Sequence, residues 1–344
     1  MNAAAADAGG LYLRSYLAPL REMLERADVT DIYVNRPHEL WVETTGGSIE
    51  RHEAPELDEA TLSRLARQIA ALSHQGISRE HPLLSATLPD GARVQVVGPP
   101  ATRASLALAI RKHVEPDLTL ADYVASGAMA DTFVGTSLDR EGADAELRAL
   151  LDAGDIAGML AAAVRARKNI LISGGTSTGK TTFLNALMRE IPAGERLILI
   201  EDTPELTLRH QNGIGLLAAR SALGEALVTA NDLVAASLRM RPDRIILGEL
   251  RGEEAFAFLR AVNTGHPGSL TTIHSDSAAR AVEQVALLVL QTGARLSRED
   301  IHHYVRQTVD VFVQLSRTGG RRYVSEVLLN SHADAGGVCG RQLI

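Results

Sequence analysis

The 344-residue sequence is poor in aromatic side chains and contains a single cysteine, Cys339. Aromatic residues make up 3% of the chain, so it offers few platforms on which nucleic-acid bases can stack. One cysteine forms neither an internal disulfide nor a cysteine-rich metal site, which favours a reducing compartment. These two shortages disfavour a secreted, disulfide-stabilised protein and a binder of single-stranded nucleic acid.

The sequence also lacks a long apolar run and a long basic stretch. No uninterrupted apolar segment approaches the roughly 18–20 residues that span a bilayer. Residues 1–10 lack the basic-then-apolar layout of a signal peptide. The net charge is −7, whereas binding to a phosphate backbone needs clustered lysine and arginine. We therefore expect a cytoplasmic protein, compatible with peripheral membrane contact, that has no stable nucleic-acid binding.

The first third of the chain predicts a small α+β domain after a tail at residues 1–10. Strand-like segments at 31–35 and 40–43 precede a Gly46-Gly47 hairpin turn, and an amphipathic helix follows at 57–72. Further strands are predicted at 83–88, 93–97 and 106–111. We place this domain at residues 11–113 and a linker with short helices at 114–155.

Residues 156–330 alternate strands with helices. After a helix at 156–167, apolar strands are predicted at 169–173, 197–201, 244–248, 268–273 and 309–315. Helical patterns occupy 228–240, 253–263, 278–292 and 298–306. This alternation indicates an α/β fold with a largely parallel sheet covered on both faces. A C-terminal tail is predicted at 331–344.

Residues 170–182 join an apolar strand to a helix through a glycine-rich loop, Gly-Gly-Thr-Ser-Thr-Gly-Lys-Thr-Thr. The segment matches G-x-x-x-x-G-K-[ST] in the strand–loop–helix context that the motif requires. Inward-pointing N–H groups and the start of the helix then bind phosphate. We expect Lys180 to reach the β- and γ-phosphates and Thr181 to ligate Mg²⁺. The predicted nucleotide-binding residues are Gly174, Gly175, Thr176, Ser177, Thr178, Gly179, Lys180, Thr181 and Thr182.

Two predicted strands end in carboxylates. One runs into Glu201-Asp202-Thr203-Pro204-Glu205 and another into Glu249. The carboxyl ends of parallel strands face the ligand crevice, and phosphoryl transfer needs a group that orients or deprotonates the attacking water. Either Glu205 or Glu201 fits that role, with an ordinary acidic loop as the alternative. Glu249 fits the acidic strand end that binds the Mg²⁺ shell.

Histidines and arginines supply further candidates. His266 and His274 flank one predicted strand, and His274 follows it in the direction of the phosphate site, where it can sense nucleotide state. The pair makes a poor metal site because no cysteine or third histidine lies nearby. Arg93 and Arg111, at strand ends of the first domain, are candidates for the cation that assists phosphoryl transfer. An ordinary solvated position is the alternative for each.

Four ordered segments, 174–182, 200–206, 239–252 and 264–274, resemble the secretion traffic ATPases, the motors of type II and type IV secretion and of type IV pili. Upstream, residues 88–95 and 110–112 also resemble the N-terminal domain of that family. The tetracysteine motif of the type II branch is missing, so the sequence is most similar to the type IV secretion branch. The resemblance covers about residues 20–330.

The resemblance implies a P-loop (RecA-like) ATPase core that hydrolyses ATP with Mg²⁺. It further implies a homohexameric ring peripheral to the bacterial inner membrane, working with inner-membrane type IV secretion components. Nucleotide is expected between the two domains of one subunit. Glu205 would activate water, Glu249 would hold Mg²⁺ through water, and Arg93 and Arg111 would reach the γ-phosphate.

Two rival functions stay open at the level of sequence. One is a nucleotide-gated assembly scaffold with negligible turnover, which Glu205 and Glu249 disfavour. The other is a DNA-translocating motor, which the acidic balance and the scarcity of aromatic residues disfavour. The sequence does not distinguish a protein cargo from conjugative DNA.

Overall fold

The computed structural model describes residue 13 and residues 15–112, 119–130, 144–219 and 224–330. The predicted tails at 1–10 and 331–344, with Cys339, lie outside these residues, and the linker at 114–155 is described only in part. The described residues form two β-sheets with helices packed on them, one antiparallel and one largely parallel. The predicted fold class is confirmed, while the domain boundaries stay predictions.

The N-terminal sheet of the described chain is antiparallel throughout. Its strands are β1 (Val29–Val34), β2 (Glu39–Thr44), β3 (Ile49–Glu53), β4 (Leu83–Thr87), β5 (Arg93–Val97) and β6 (Ala107–Arg111), in the order β3-β2-β1-β6-β5-β4. A 3₁₀ turn (Ala18–Leu20) leads into helix α1 (Arg21–Glu25), and α2 (Glu59–Leu72) covers one face. Asp58 caps α2 by accepting the Thr61 amide at 2.6 Å, a common helix start.

The C-terminal part carries the parallel sheet. Its helices are α3 (Leu120–Ala125), α4 (Ala145–Asp152), α5 (Ile156–Arg165), α6 (Lys180–Leu187), α7 (Ala230–Ser237), α8 (Glu254–Asn263), α9 (Ala278–Gln291) and α10 (Arg298–Thr308). Its strands are β7 (Ile170–Gly174), β8 (Leu197–Glu201), β9 (Gly213–Leu217), β10 (Arg244–Leu250), β11 (Leu270–Ile273), β12 (Val311–Thr318) and β13 (Arg321–Leu329). None of the helices among the described residues combines the length and apolarity needed to cross a membrane.

The strands of this second sheet lie in the order β13-β12-β7-β11-β10-β8-β9. All neighbours are parallel except β12 and β13, which form an antiparallel hairpin. The central strands are apolar on both faces: Ile245 and Leu247 of β10 face one core, and Ile246 faces the other. Burial on both sides explains why these strands read as continuous apolar runs rather than alternating ones.

The two sheets pack against each other. Tyr33 and Trp41 of the N-terminal sheet share a hydrophobic core with Ile198 and Leu216 of the parallel sheet. The segment before β6 also runs beside the edge strand β9, where the Arg103 amide donates to the Gly215 carbonyl at 2.9 Å. This contact covers a sheet edge that would otherwise expose unpaired backbone groups.

Candidate active site

The loop between β7 and α6 adopts a conformation that its glycines permit. Gly179 has φ = +93° and Ser177 φ = +61°, left-handed values that turn successive N–H groups inward. A Cβ on Gly174 would lie 2.6 Å from Thr178 Oγ1 and 3.0 Å from the Leu315 carbonyl oxygen. The strand, loop and helix predicted from the motif are therefore present at this position.

The loop forms the floor of a cavity of about 420 Å³ at the carboxyl ends of the central strands. This volume falls within the range of small-ligand sites, roughly 300–1,000 Å³. Several side chains predicted from the sequence line it together: Lys180, Thr181, Glu201, Glu205, Glu249 and His274. Residues separated by up to 94 positions in the chain (Lys180 and His274) thus share one site.

Lys180, Glu249 and His274 form a connected cluster in the cavity. The Lys180 ammonium lies 3.5 Å from Glu249 Oε1 and 3.2 Å from His274 Nδ1, and it donates to the Gly174 carbonyl at 3.0 Å. His274 Nε2 lies 3.0 Å from the same Glu249 oxygen. Burial lowers the pKa of Lys180 despite the opposing effect of Glu249. The lysine is thus already desolvated at the mouth of the phosphate loop.

Glu201 and Glu205 have different environments. Glu201 is buried; it accepts the backbone amides of Glu205 and Leu206 at 3.0 and 2.7 Å and pairs with Arg103. Glu205 is exposed, and its Oε2 accepts the Thr181 hydroxyl at 3.1 Å. Glu201 therefore shapes the loop that presents Glu205 to the cavity.

Arg251 links two carboxylates in the cavity wall. Its guanidinium contacts Glu249 and lies 3.2 Å from Asp202 Oδ2. The residue directly follows the end of β10, so its position is set by the same strand that carries Glu249. Arg251 contacts Oε2 of Glu249, whereas Lys180 lies nearest Oε1, so the two cations together hold the carboxylate.

Arg93 and Arg111 lie elsewhere in the chain. They are register partners across β5 and β6 and line a second cavity of about 580 Å³, between the N-terminal sheet and the segment that follows α7, together with Arg239 and Arg241. No described residue of the N-terminal sheet lines the phosphate-loop cavity. Within one chain, therefore, these arginines do not meet Lys180. His266 is also distant from the loop cavity, and its Nδ1 lies 3.0 Å from the Pro242 carbonyl oxygen.

The sequence analysis did not predict every cavity residue, and Arg322 lies farthest along the chain from the predicted ones. Arg322 of β13 lines the phosphate-loop cavity, and its Cδ lies 3.4 Å from the position of a Cβ on Gly179. The sequence prediction ended the sheet at residue 315. The Gly319-Gly320 pair was the available signal, since two glycines between alternating segments mark a tight hairpin.

Comparison with known proteins gives consistent matches over most of the chain. A profile of the type II/IV secretion system protein family matches residues 14–319. The type IV secretion system protein VirB11 of Brucella suis is 40% identical over 321 residues, spanning 91% of this chain and 88% of that protein. VirB11 of Bartonella henselae is 36% identical over 324 residues, covering 90% and 91%.

A solved structure agrees with these matches. The crystal structure of the VirB11 ATPase from the Brucella suis type IV secretion system in complex with sulphate superposes with a TM-score of 0.88 at 38% identity. The superposition covers 94% of this chain and 96% of that one. The chain belongs to the type II/IV secretion system protein family.

Proposed function

We propose that this protein hydrolyses ATP to power type IV secretion, as a ring-shaped motor at the cytoplasmic face of the bacterial inner membrane. The observation that carries the proposal is the convergence of Lys180, Thr181, Glu205, Glu249 and His274 on one cavity above a phosphate loop. The VirB11 relatives over most of the chain support secretion as the process that consumes the energy.

The cavity residues suit a nucleoside triphosphate with Mg²⁺. The inward N–H groups of the loop and the ammonium of Lys180 match phosphate oxygens. Thr181 and Glu249 offer the oxygen donors that Mg²⁺ prefers, and Mg²⁺ typically takes only one or two protein carboxylates and completes its shell with water and phosphate. Mg²⁺ would neutralise charge on the phosphates, with Thr181 and, through water, Glu249 holding it.

Glu205 is the proposed general base. It is exposed to the cavity, and apart from the Thr181 hydroxyl at 3.1 Å its carboxylate is free to orient a water against the terminal phosphate. His274, at 3.2 Å from the Lys180 ammonium, is placed to donate a hydrogen bond to the γ-phosphate. Lys180 holds the β- and γ-phosphates as a point charge, stabilising the charge that develops during transfer.

The proposed assembly is a homohexamer that contacts inner-membrane components of the secretion system. Arg93 and Arg111 remain the candidates for a catalytic cation. Because they lie away from the loop cavity of their own chain, we infer that they act on the nucleotide of a neighbouring copy.

The direct test is phosphate release by Lys180→Ala. The variant loses the charge at the β/γ-phosphates and should show no turnover above background. Arg280→Ala, which removes a 72%-exposed cation outside the cavity, should hydrolyse at the parental rate. Parental turnover in Lys180→Ala would refute the assigned site, and nucleotide binding without phosphate release in the parental protein would favour the scaffold function instead.

A further inference from the structure

The β12–β13 hairpin extends past the end of the sheet beside the phosphate loop. Leu315 of β12 pairs in register with Gly174, the last residue of β7, so residues 316–323 continue beyond the strand that enters the loop. The tip is Gly319-Gly320, both with positive φ. The hairpin therefore forms a wall on the side of the loop away from β11 and β10.

Arg322 and Arg317 sit on the face of this hairpin that points toward α6. They are direct register partners, and Arg317 follows Val313 and Leu315 at alternate positions of β12. Those two apolar residues pack in one core with Leu184 and Leu187 of α6. Since alternate strand residues share a face, both arginines extend that face toward the beginning of α6, where Lys180 lies.

The two facing arginines do not stabilise the folded sheet. Like charges directly opposite each other on neighbouring strands destabilise a sheet. Within the described residues, neither guanidinium has a hydrogen-bond or ion-pair partner. A bound anion would compensate the two charges.

Arg322 also differs from the other cations of the cavity. Lys180 is 3.5 Å from Glu249, and Arg251 is shared between Glu249 and Asp202. Of the cationic side chains in the cavity wall, as far as the structure describes the chain, Arg322 is thus the one whose charge no carboxylate offsets. Arg322 can therefore bind a polyanion without breaking an existing ion pair.

We propose that Arg322 binds the α- and β-phosphates of the nucleotide, from the side of the loop opposite to Glu249; the inference rests on the proposed ATPase function. Glu249 and His274 lie toward β10 and β11 and meet the terminal phosphate. The phosphate chain then runs across the loop, so its α-phosphate end lies next to the β12–β13 hairpin. The guanidinium fork matches phosphate oxygens in a bidentate way.

The test is nucleotide affinity of Arg322→Ala, measured with fluorescent ADP and with a non-hydrolysable ATP analogue. Both dissociation constants should rise by a similar factor, about tenfold, as expected for a hydrogen bond between charged groups. KM for ATP should rise with little change in kcat, because the contact exists before and during phosphoryl transfer. Arg322→Lys should recover part of the affinity through its charge.

Arg321→Ala is the matched control. Arg321 is the adjacent residue on the same strand, is exposed, and lies over the Tyr323 ring at 5.8 Å rather than in the cavity wall. Its removal should leave both affinities unchanged. Equal losses in the two variants, unaltered affinity in Arg322→Ala, or a loss confined to the ATP analogue would each overturn the assignment. A parental protein that binds neither nucleotide would instead overturn the proposed function itself.

Discussion

Glu201 and Glu205 lie four residues apart and show how environment divides two similar side chains. Two backbone amides and Arg103 occupy the carboxylate of Glu201, which is buried. Protonating it would break contacts that hold the loop. Glu205 has one hydroxyl partner and faces the cavity. The sequence left both as candidates, and hydrogen bonding and burial favour Glu205 as the base.

Glu205→Gln should keep nucleotide affinity and slow hydrolysis strongly. The amide preserves the shape and can still accept the Thr181 hydroxyl, but it is a poor proton acceptor. General-base contributions are typically about 10²–10⁴-fold, so a drop in kcat of that order is expected. Single-turnover phosphate release, together with the affinity for labelled ATP analogue, gives both quantities on one sample.

Glu249→Gln tests the other proposed role, that of holding Mg²⁺ through water. The substitution removes the negative charge of the carboxylate, which lies beside Lys180 and Arg251. Because an amide attracts the hydrated ion less, the Mg²⁺ concentration needed for half-maximal activity should rise. The division of roles fails if the two glutamine variants lose nucleotide affinity equally, or if the Mg²⁺ requirement shifts only in Glu205→Gln.

At the scale of elements, the central parallel strands and the phosphate loop were predictable because their signals are local. Strands buried on both faces give short apolar runs, as at 197–201 and 244–248, and the loop motif needs specific residues at fixed spacing. The predicted helix at 57–72 likewise corresponds to α2. In each case neighbouring residues alone determine the pattern.

Three strands, β3, β9 and β13, were not predicted, and for β9 and β13 the reasons can be identified. Strand β9 contains Gly213 and Gly215, which favour a loop by propensity. A Cβ on Gly215 would lie 2.5 Å from Arg103 Cδ, so this glycine serves a long-range contact that sequence cannot show. Strand β13 is an edge strand in which no residue is fully buried, so its apolar pattern is weak and the Gly319-Gly320 turn before it was the main signal of its pairing with β12. Arg322 lines the cavity because β13 pairs with β12, so its place in the site could not be predicted without that strand.

Gly174→Ala tests whether the junction of β7 and the loop is as tight as the structure shows. The new methyl group would meet Thr178 Oγ1 at 2.6 Å and the Leu315 carbonyl at 3.0 Å. Since backbone must shift, nucleotide affinity should fall, and overpacking should cost about 1–3 kcal/mol of stability. Gly194→Ala is the control, because Gly194 lies outside the cavity, nothing lies within 4 Å of its Cβ position and its φ is not positive. Calorimetric melting and nucleotide titration of both variants would show equal effects if the packing argument is wrong.

At the scale of the whole molecule, a buried polar contact fixes how the two sheets sit. Arg196 is 1% exposed, lies 3.9 Å above the Tyr33 ring, and donates to Asn35 Oδ1 at 2.8 Å. Burial lowers the pKa of Arg196 to about 10, a value that leaves it charged at neutral pH. Removing one partner of a buried charge is costly, so the N-terminal sheet is held firmly against β8 and β9.

This fixed arrangement determines where a catalytic arginine can come from. With the sheets held by Arg196, Arg93 and Arg111 stay in the cavity that they share with Arg239 and Arg241. They reach a γ-phosphate only if a second copy brings its phosphate loop to that cavity. Nucleotide with Mg²⁺ would then bridge two chains and stabilise the closed ring by mass action.

Sedimentation with and without a non-hydrolysable ATP analogue should therefore show a hexamer that nucleotide favours. The double variant Arg93→Ala, Arg111→Ala should reduce kcat more than nucleotide affinity.

Mixing two inactive variants tests more directly whether the arginines act between chains. Lys180→Ala lacks a working loop but keeps both arginines, whereas the double arginine variant keeps the loop. If the arginines act between chains, a mixture of these two inactive proteins regains hydrolysis, because intact loops meet intact arginines at some interfaces. Mixtures that stay inactive although they co-assemble would place the arginines in their own chain, and a fully active monomer would exclude the ring.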